Sequence, residues 1–415
     1  MKWIKKLLLP VFSLVVLLIF LEITSRIFLH APARFSPVQP SQIYGHEHKP
    51  NYSAINEREE FKAAVSYNPE GLRGGPVDKI KPSGVYRIAV VGDSFVDAVE
   101  TNNQDTFVKK LENKLNAASA KSLKYDVINF GVLSYNADNE FVVIKEKIKE
   151  YAPDLVIQVF FFNDVEAFNP NNPSQLVTID NDTVHTHYPL PKTQNLEQKV
   201  SLLRKSLTLL VSHSHLWDYF MNYKLYSSMP KTLLAFQNIK TAIFGETDAD
   251  KGLKARMESS INQRRFNEFD IETMMLSKIE QMKPVWKSEE MLLKEEKKLM
   301  AERGTKFIFV LASGALYYRT EAKEKIKNDY HLSAEDFDPT LPNKNMAEIL
   351  QRLEIGYIDL LPIISAYENH QKILMHFRSD IHWTKYAHQL VADTLFDCLI
   401  RQGLVLNDIT NTHLN

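Results

Sequence analysis

A serine follows a short apolar run in the stretch Gly92-Asp93-Ser94. The run, residues 88–91, is typical of a strand buried on both faces of a parallel sheet. The glycine permits a tight turn, and ligands bind in open α/β sheets at the carboxyl ends of the strands. A serine that caps the next helix is the alternative for an isolated Gly-Asp-Ser. Ser94 is therefore a candidate nucleophile whose partners must come from elsewhere in the chain.

Two later stretches offer the partners that such a nucleophile needs. A serine attacks only when a neighbouring base takes its proton and another group orients that base. In the stretch Asp380-Ile381-His382, His382 is the candidate general base, and Asp380 would fix its tautomer and stabilise the imidazolium. Asn163 follows another apolar run and offers a side-chain amide to the negative charge that develops during acyl transfer. A turn asparagine is the alternative for Asn163.

The set Gly-Asp-Ser, Asn-Asp and Asp-x-His-Trp, in this order, resembles the SGNH (GDSL-type) serine hydrolase and acyltransferase superfamily, in its membrane-anchored bacterial type. The resemblance implies a catalytic set of Ser94, His382 and Asp380. It also implies an oxyanion hole that includes the Ser94 backbone amide and the Asn163 side chain. The third donor of the family is usually a glycine after the second strand. Ser134 stands at that position here, and Gly131 is the alternative.

Strands and helices are predicted to alternate around these motifs. Apolar runs predict five strands, and amphipathic runs predict helices between them, which favours a parallel sheet covered on both faces. The predicted strands are residues 88–91, 125–130, 155–162, 306–311 and 357–361. Together they predict an α/β fold of the flavodoxin-like type, a three-layer α/β/α sandwich with a five-stranded parallel sheet and its site at the switch point.

Two regions depart from this alternation. Residues 169–283 are rich in amphipathic stretches without a clear strand, and they predict a helical insertion. The insertion would divide the catalytic domain into residues 81–168 and 284–410. Residues 31–80 are proline-bearing and lack sustained periodicity, so they are predicted to form a linker and a turn-rich lead-in.

The N-terminus carries a membrane signal. Three lysines among the first six residues precede the apolar residues 7–21. We expect residues 1–30 to be a signal-anchor, a single transmembrane helix, with the catalytic domain on the extracytoplasmic, periplasmic side of the cytoplasmic membrane. A cleaved signal peptide is the alternative, although the proline makes Ala31-Pro32-Ala33 a poor cleavage site.

Composition narrows the possible partners. A net charge of -1 gives no indication of a nucleic-acid partner, and 44% hydrophobic residues suffice for a sizeable core. The single cysteine, Cys398, excludes an internal disulfide framework. Three His-x-His pairs lack nearby carboxylate or cysteine sets with ligand spacing, so neither a metal nor a cofactor is expected. The pairs begin at His46, His185 and His213.

The resemblance implies a serine esterase that acts on O-acyl esters, in particular O-acetyl esters, through an acyl-Ser94 intermediate. Its substrate would be an acylated carbohydrate or lipid. Two alternatives remain: a carbohydrate O-acetyltransferase of the same fold, or a non-catalytic subunit of an envelope-polysaccharide assembly. The sequence indicates no particular protein partner.

Overall fold

The computed structural model describes most of the chain, in seven stretches. They are residue 13 and residues 16–27, 35–119, 123–170, 175–180, 182–188 and 266–405. The chain divides into two compact units. The first contains Met1–Phe35, Ile55–Glu59 and Thr193–Arg265, and the second contains the remainder. All the catalytic candidates belong to the second unit.

The predicted anchor, residues 1–30, lies partly outside the described residues. Its described portion, residues 16–27, is helical. Within the stretches that the structure describes, no helix is both long enough and apolar enough to cross a membrane. The transmembrane helix therefore stays a prediction.

A five-stranded parallel sheet forms the centre of the second unit, as the sequence predicted. In the described part of the chain, the strands are β1 Val38–Ser41, β2 Gly45–His48, β3 Ser53–Glu57, β4 Lys62–Ser66, β5 Val85–Val91, β6 Lys124–Asn129, β7 Leu155–Phe160, β8 Val177–Asp180, β9 Thr183–Thr186, β10 Lys306–Leu311 and β11 Gly356–Asp359. The order of the sheet is β6-β5-β7-β10-β11, the flavodoxin-like order, and every neighbouring pair is parallel.

Helices cover both faces of this sheet. Successive residues of β5 belong to different cores: Ile88 and Val90 to one, Ala89 and Val91 to another, as the alternation of a strand requires. Besides the helical residues 16–27, the described stretches contain the α-helices α1 Ser94–Asp97, α2 Phe107–Ala118, α3 Ala137–Val142, α4 Glu268–Glu272, α5 Ile279–Glu302, α6 Thr320–Tyr330, α7 Leu341–Arg352, α8 Leu361–Gln371 and α9 Lys385–Arg401. Helices α2 and α9 pack on the first face, whereas α5 and α7 belong to a core on the other.

The lead-in has more regular structure than the sequence predicted. Within residues 31–80, expected to be linker and turns, the chain forms the strands β1 to β4. Strands β1 and β2 make an antiparallel hairpin in which Val38 pairs with His48. These strands are short. Two of them contact residues near the nucleophile: His48 of β2 lies 2.9 Å from Asp97, and the Ala64 N–H of β4 donates to the Asn102 side chain at 2.9 Å.

The helical insertion predicted at residues 169–283 falls largely outside the described residues, which omit 189–265. Its described beginning is not helical: β8 and β9 form an antiparallel hairpin, with Asp182 in the left-handed region at the turn. The β-branched residues of both strands favour this pairing. At the far end, α5 already begins at Ile279, because Pro284 in its second turn removes one hydrogen bond without ending the helix.

The loop after β6 packs tightly on the nucleophile helix α1. A Cβ atom on Gly131 would lie 2.5 Å from both the amide nitrogen of Asp97 and the Cβ of Val96. Only glycine therefore allows this contact between loop and helix.

Replacing Gly131 by alanine tests this contact. We expect Gly131→Ala to lower the free energy of unfolding by about 1–3 kcal/mol, because the methyl group forces the loop off the helix. The measurement is urea denaturation followed by circular dichroism. Gly75→Ala is the matched control, since a Cβ on Gly75 meets nothing within 4 Å. Equal unfolding midpoints for the two variants would contradict the predicted contact.

Candidate active site

Ser94 begins the short helix α1, just after the end of the inner strand β5 at Val91. Asp93 caps this helix, because its Oδ1 accepts the backbone N–H of Phe95 at 2.8 Å. The helix ends after one turn at Ala98, whose backbone lies in the left-handed region at φ 56°. The strand end and the cap therefore fix the position of the serine at the carboxyl edge of the sheet.

The structure brings Ser94, His382 and Asp380 into contact. The Nε2 atom of His382 lies 2.7 Å from the Ser94 Oγ, and its Nδ1 lies 2.5 Å from Asp380 Oδ1. The same carboxylate oxygen accepts the backbone N–H of His382 at 3.0 Å. This is the arrangement in which a histidine can take a proton from a serine hydroxyl while a carboxylate orients the ring.

The loop that carries His382 is fixed by the residue that follows it. Trp383 is 1% exposed, its indole N–H donates to the carbonyl of Ser313 at 3.3 Å, and its ring lies 4.9 Å from that of Phe95. Thr384 precedes α9, and its hydroxyl donates to the Leu374 carbonyl rather than capping the helix. Burial of the tryptophan thus holds the histidine against the nucleophile segment.

Glu100 is a site residue that the sequence did not reveal. Its Oε1 lies 3.1 Å from Nδ1 of His382, on the nitrogen that Asp380 also contacts. A lone glutamate after the nucleophile helix carries no motif, and its approach depends on how the turn after α1 folds. No signal in a single sequence would have identified it.

The two carboxylates determine the charge of the histidine. Burial alone lowers the pKa of His382, but the negative charge of Glu100 and the hydrogen bonds that Asp380 and Glu100 accept from the ring outweigh it and raise the pKa well above its ordinary value. The imidazole therefore holds its proton up to a higher pH than an isolated histidine would.

Ser134 and Gly131, the two candidates for the third oxyanion donor, both lie in the loop after β6, and their backbone amides differ in their contacts. The N–H of Gly131 already donates to the Asn129 side chain at 2.9 Å, so the alternative donor is occupied. Ser134 has φ 61°, in the left-handed region that glycine favours, which fits its alignment with the family's glycine. Its N–H has no acceptor in the described part of the chain. Ser134 remains the predicted donor.

Asn163 lies beside the nucleophile turn. It follows β7 in a short 3-10 segment, Phe162–Phe168, and its side-chain amide donates to Asp93 Oδ2 at 3.3 Å. The other oxygen of Asp93 caps α1, so Asn163 and the nucleophile turn share one buried carboxyl group. The side-chain amide is thus held near Ser94, where an oxyanion donor must stand.

Behind the nucleophile lies the buried carboxylate of Asp97. Oxygen Oδ2 is 2.9 Å from His48 Nε2 and accepts the Leu133 N–H at 3.3 Å, and Oδ1 accepts the Tyr67 hydroxyl at 2.8 Å. The guanidinium of Arg73 lies 3.5 Å from Oδ1 and also donates to the Asp97 carbonyl. The lead-in is thereby connected to α1 through one fully buried acid.

Three histidines of the predicted pairs contact protein groups. His46 contacts the Leu133 carbonyl at 2.7 Å, His48 contacts Asp97, and His187 lies 2.6 Å from the Thr178 hydroxyl. The pair that begins at His213 lies outside the described residues. Glu100, Asp380 and His382 are the one close group of ligand-type side chains in the described stretches. Because Nδ1 there is hydrogen-bonded to Asp380 and Nε2 to Ser94, we assign no metal to them.

Replacing Asp97 by asparagine tests the buried network. Burial raises the pKa of Asp97, but His48 and Arg73 outweigh it and hold the pKa below its ordinary value. A lowered folded-state pKa gives stability that is complete above the unfolded value and is lost as pH falls through the folded one. We expect Asp97→Asn to cost on the order of 3 kcal/mol at pH 7 and less below about pH 4.

The measurement is urea unfolding of the wild type and Asp97→Asn between pH 7 and pH 3. Glu335→Gln, an exposed carboxylate, is the control for removal of one charge. If the stability difference between Asp97→Asn and the wild type does not change with pH, the neighbours of Asp97 do not stabilise its charge, and the prediction is wrong.

No protein-family model and no curated protein matches the sequence. Similar solved structures include TesA, at 10% identity over 75% of this chain and 97% of that chain, with a TM-score of 0.34. A catalytic mutant of Axe2, an acetylxylan esterase from Geobacillus stearothermophilus, is 9% identical over 77% of this chain and 95% of that chain, with a TM-score of 0.36. The acetyl xylan esterase AlAXEase is 12% identical over 76% of this chain and 100% of that chain, with a TM-score of 0.37.

TM-scores below 0.5 do not establish a shared fold. The description of the fold and of the site therefore depends only on the geometry of this chain. The resemblance to a superfamily rests on the sequence motifs. Those motifs meet at one edge of the sheet, where Ser94, His382 and Asp380 are in contact and Asn163 lies beside them. In its motifs and in the contacts they make, the chain resembles the SGNH (GDSL-type) serine hydrolase and acyltransferase superfamily.

Proposed function

We propose that this protein is a serine esterase that acts on O-acyl esters, in particular O-acetyl esters of carbohydrates, through an acyl-enzyme at Ser94. The observation that carries the proposal is the continuous chain of contacts from the Ser94 hydroxyl through His382 to Asp380, at 2.7 and 2.5 Å. The choice of substrate rests on the resemblance of the motifs to the SGNH superfamily.

In the acylation step, Ser94 Oγ would attack the ester carbonyl while its proton passes to Nε2 of neutral His382. Asp380 stabilises the imidazolium that forms. The former carbonyl oxygen becomes negative, and the backbone amides of Ser94 and Ser134 and the side-chain amide of Asn163 are the proposed donors to it. Collapse of the tetrahedral intermediate expels the alcohol, which takes its proton from His382.

In the second step, water would give a proton to His382 and attack the acyl-serine. This releases the carboxylic acid and restores the Ser94 hydroxyl. A sugar hydroxyl in place of water would yield an acylated carbohydrate by the same proton transfers. The chemistry at Ser94 is therefore common to both outcomes, and the identity of the acceptor distinguishes an esterase from an acyltransferase.

The proposal includes a membrane anchor, with the catalytic domain on the extracytoplasmic side. The support comes from the sequence alone: three lysines among the first six residues, followed by the apolar residues 7–21. An enzyme held in this position would meet acylated glycans or lipids of the cell envelope as its substrates.

The Ser94→Ala substitution in the full-length, detergent-solubilised protein tests the catalytic proposal. We expect loss of labelling by a fluorophosphonate probe and a fall of roughly 10,000-fold or more in hydrolysis of 4-nitrophenyl acetate. Ser365→Ala, on α8, is the matched serine control and should retain both activities. Mass spectrometry with acetylated oligosaccharides then separates release of acetate from transfer to an acceptor. Labelling that persists in Ser94→Ala would contradict the assignment of the nucleophile.

Cell fractionation tests the anchor. In a Gram-negative host, we expect the full chain with a C-terminal tag to stay in the membrane fraction after a carbonate wash. The tag should be digested when protease is added to spheroplasts. The chain without residues 1–30 serves as the comparison and should be lost from the membranes. Recovery of the full chain in the soluble fraction, or a protected tag, would contradict the proposed location.

A further inference from the structure

A second carboxylate reaches the ring nitrogen of His382 that Asp380 contacts. The Oε1 atom of Glu100 lies 3.1 Å from Nδ1, and the Oδ1 atom of Asp380 lies 2.5 Å from it. The two acids differ in environment: the side chain of Glu100 is 6% exposed, whereas that of Asp380 is 31% exposed. Oxygen Oε2 of Glu100 is buried without a hydrogen-bond partner in the described part of the chain. A buried carboxylate of this kind needs a compensating positive charge.

Glu100 belongs to the nucleophile segment and is held firmly there. The turn after α1 closes with a hydrogen bond from the Thr101 N–H to the Ala98 carbonyl at 3.1 Å. The Arg73 guanidinium donates to the Thr101 carbonyl at 2.7 Å and so fixes the far side of the turn. Glu100 therefore connects the histidine to the segment that carries Ser94, whereas Asp380 lies on the histidine's own loop.

We propose that Glu100 is a positioning residue for His382: it orients the imidazole toward Ser94 and moves the activity of the enzyme to higher pH. This inference rests on the proposed esterase function. It assigns Glu100 a part in the proton transfer that does not require contact with the substrate.

Three acidic groups face His382. Asp380 faces it from the same loop, Glu100 from the turn after α1, and Asp93 from the end of β5, close enough for its charge to interact with that of the histidine. Asp93 is fully buried, and burial raises its pKa, partly offset by hydrogen bonds and by His382 itself. Glu100 and Asp380 are thus the two carboxylates in direct contact with the ring.

Two histidines near His382 add no positive charge at neutral pH. Burial lowers the pKa of His376 to about 4 and that of His388 to about 3, so both rings are neutral there. The side chain of Phe95 covers the ring of His382 at 5.2 Å and is apolar. A protonated His382 thus places a positive charge in contact with both carboxylates.

The pH dependence of kcat/KM follows from the protonation state in which His382 reacts. A general base must be neutral, so kcat/KM rises as His382 loses its proton. With Glu100 and Asp380 both charged, that loss occurs at a pH well above the ordinary histidine value of about 6.5. Without the charge of Glu100, Asp380 alone would favour the imidazolium, and the midpoint would fall. A single charge at this distance shifts a pKa by about 1–3 units.

The test compares Glu100→Gln, Glu100→Asp and the exposed-charge control Glu335→Gln in the full-length protein. Two midpoints are measured: that of kcat/KM for 4-nitrophenyl acetate against pH, and that of the His382 imidazole by ¹⁵N NMR. The His382 signal is identified by its absence in His382→Gln. We expect both midpoints to fall by about 1–3 units in Glu100→Gln and to stay at the wild-type value in Glu335→Gln.

Glu100→Asp keeps the charge on a shorter side chain. We expect it to retain a midpoint closer to the wild type than Glu100→Gln does, with a lower plateau value of kcat because the ring is less well oriented. An unshifted His382 midpoint in Glu100→Gln would overturn the inference. Absence of fluorophosphonate labelling of the wild type at every pH would instead count against the proposed function, because the NMR midpoint does not depend on turnover.

Discussion

The buried carboxylate of Asp97 is the interaction on which the site depends. An ionised acid away from water is costly unless it is hydrogen-bonded and paired, so its partners cannot leave without a penalty of several kcal/mol. Those partners come from segments far apart in the sequence: His48 and Tyr67 from the lead-in, and the Leu133 amide from the loop after β6. One acid thereby fixes the lead-in, the nucleophile helix and the proposed oxyanion loop against one another.

The parallel sheet supplies the common edge at which distant residues meet. Ser94 follows β5, Asn163 follows its neighbour β7, and both lie where the strand order changes direction. His382 follows the last strand, β11, in the chain. Its position depends on Trp383, which is buried in the same core as Phe95. The hydrophobic core thus positions the general base, because Trp383, the residue next to His382, is one of the largest side chains in that core.

The sequence predicted those parts of the molecule that local pattern determines. Apolar runs located the five strands of the central sheet, and the motif positions identified the residues that meet as Ser94, His382 and Asp380. The lead-in strands were missed because their stability comes from long-range contacts such as that of His48 with Asp97. Glu100 was missed for the same reason: its role arises from a turn that brings it to a histidine almost three hundred residues away.

The contacts of Arg73 extend this dependence to the general base. Arg73 donates to the carbonyl groups of Asp97 and Thr101, on either side of the turn that presents Glu100. Because these carbonyl groups are buried, loss of the guanidinium would leave them without their donor and would loosen the turn. Glu100 would then lose its fixed approach to His382. The lead-in therefore helps to position both residues that exchange the proton. It holds Ser94 through Asp97 and His382 through Glu100, although it contributes no reacting atom.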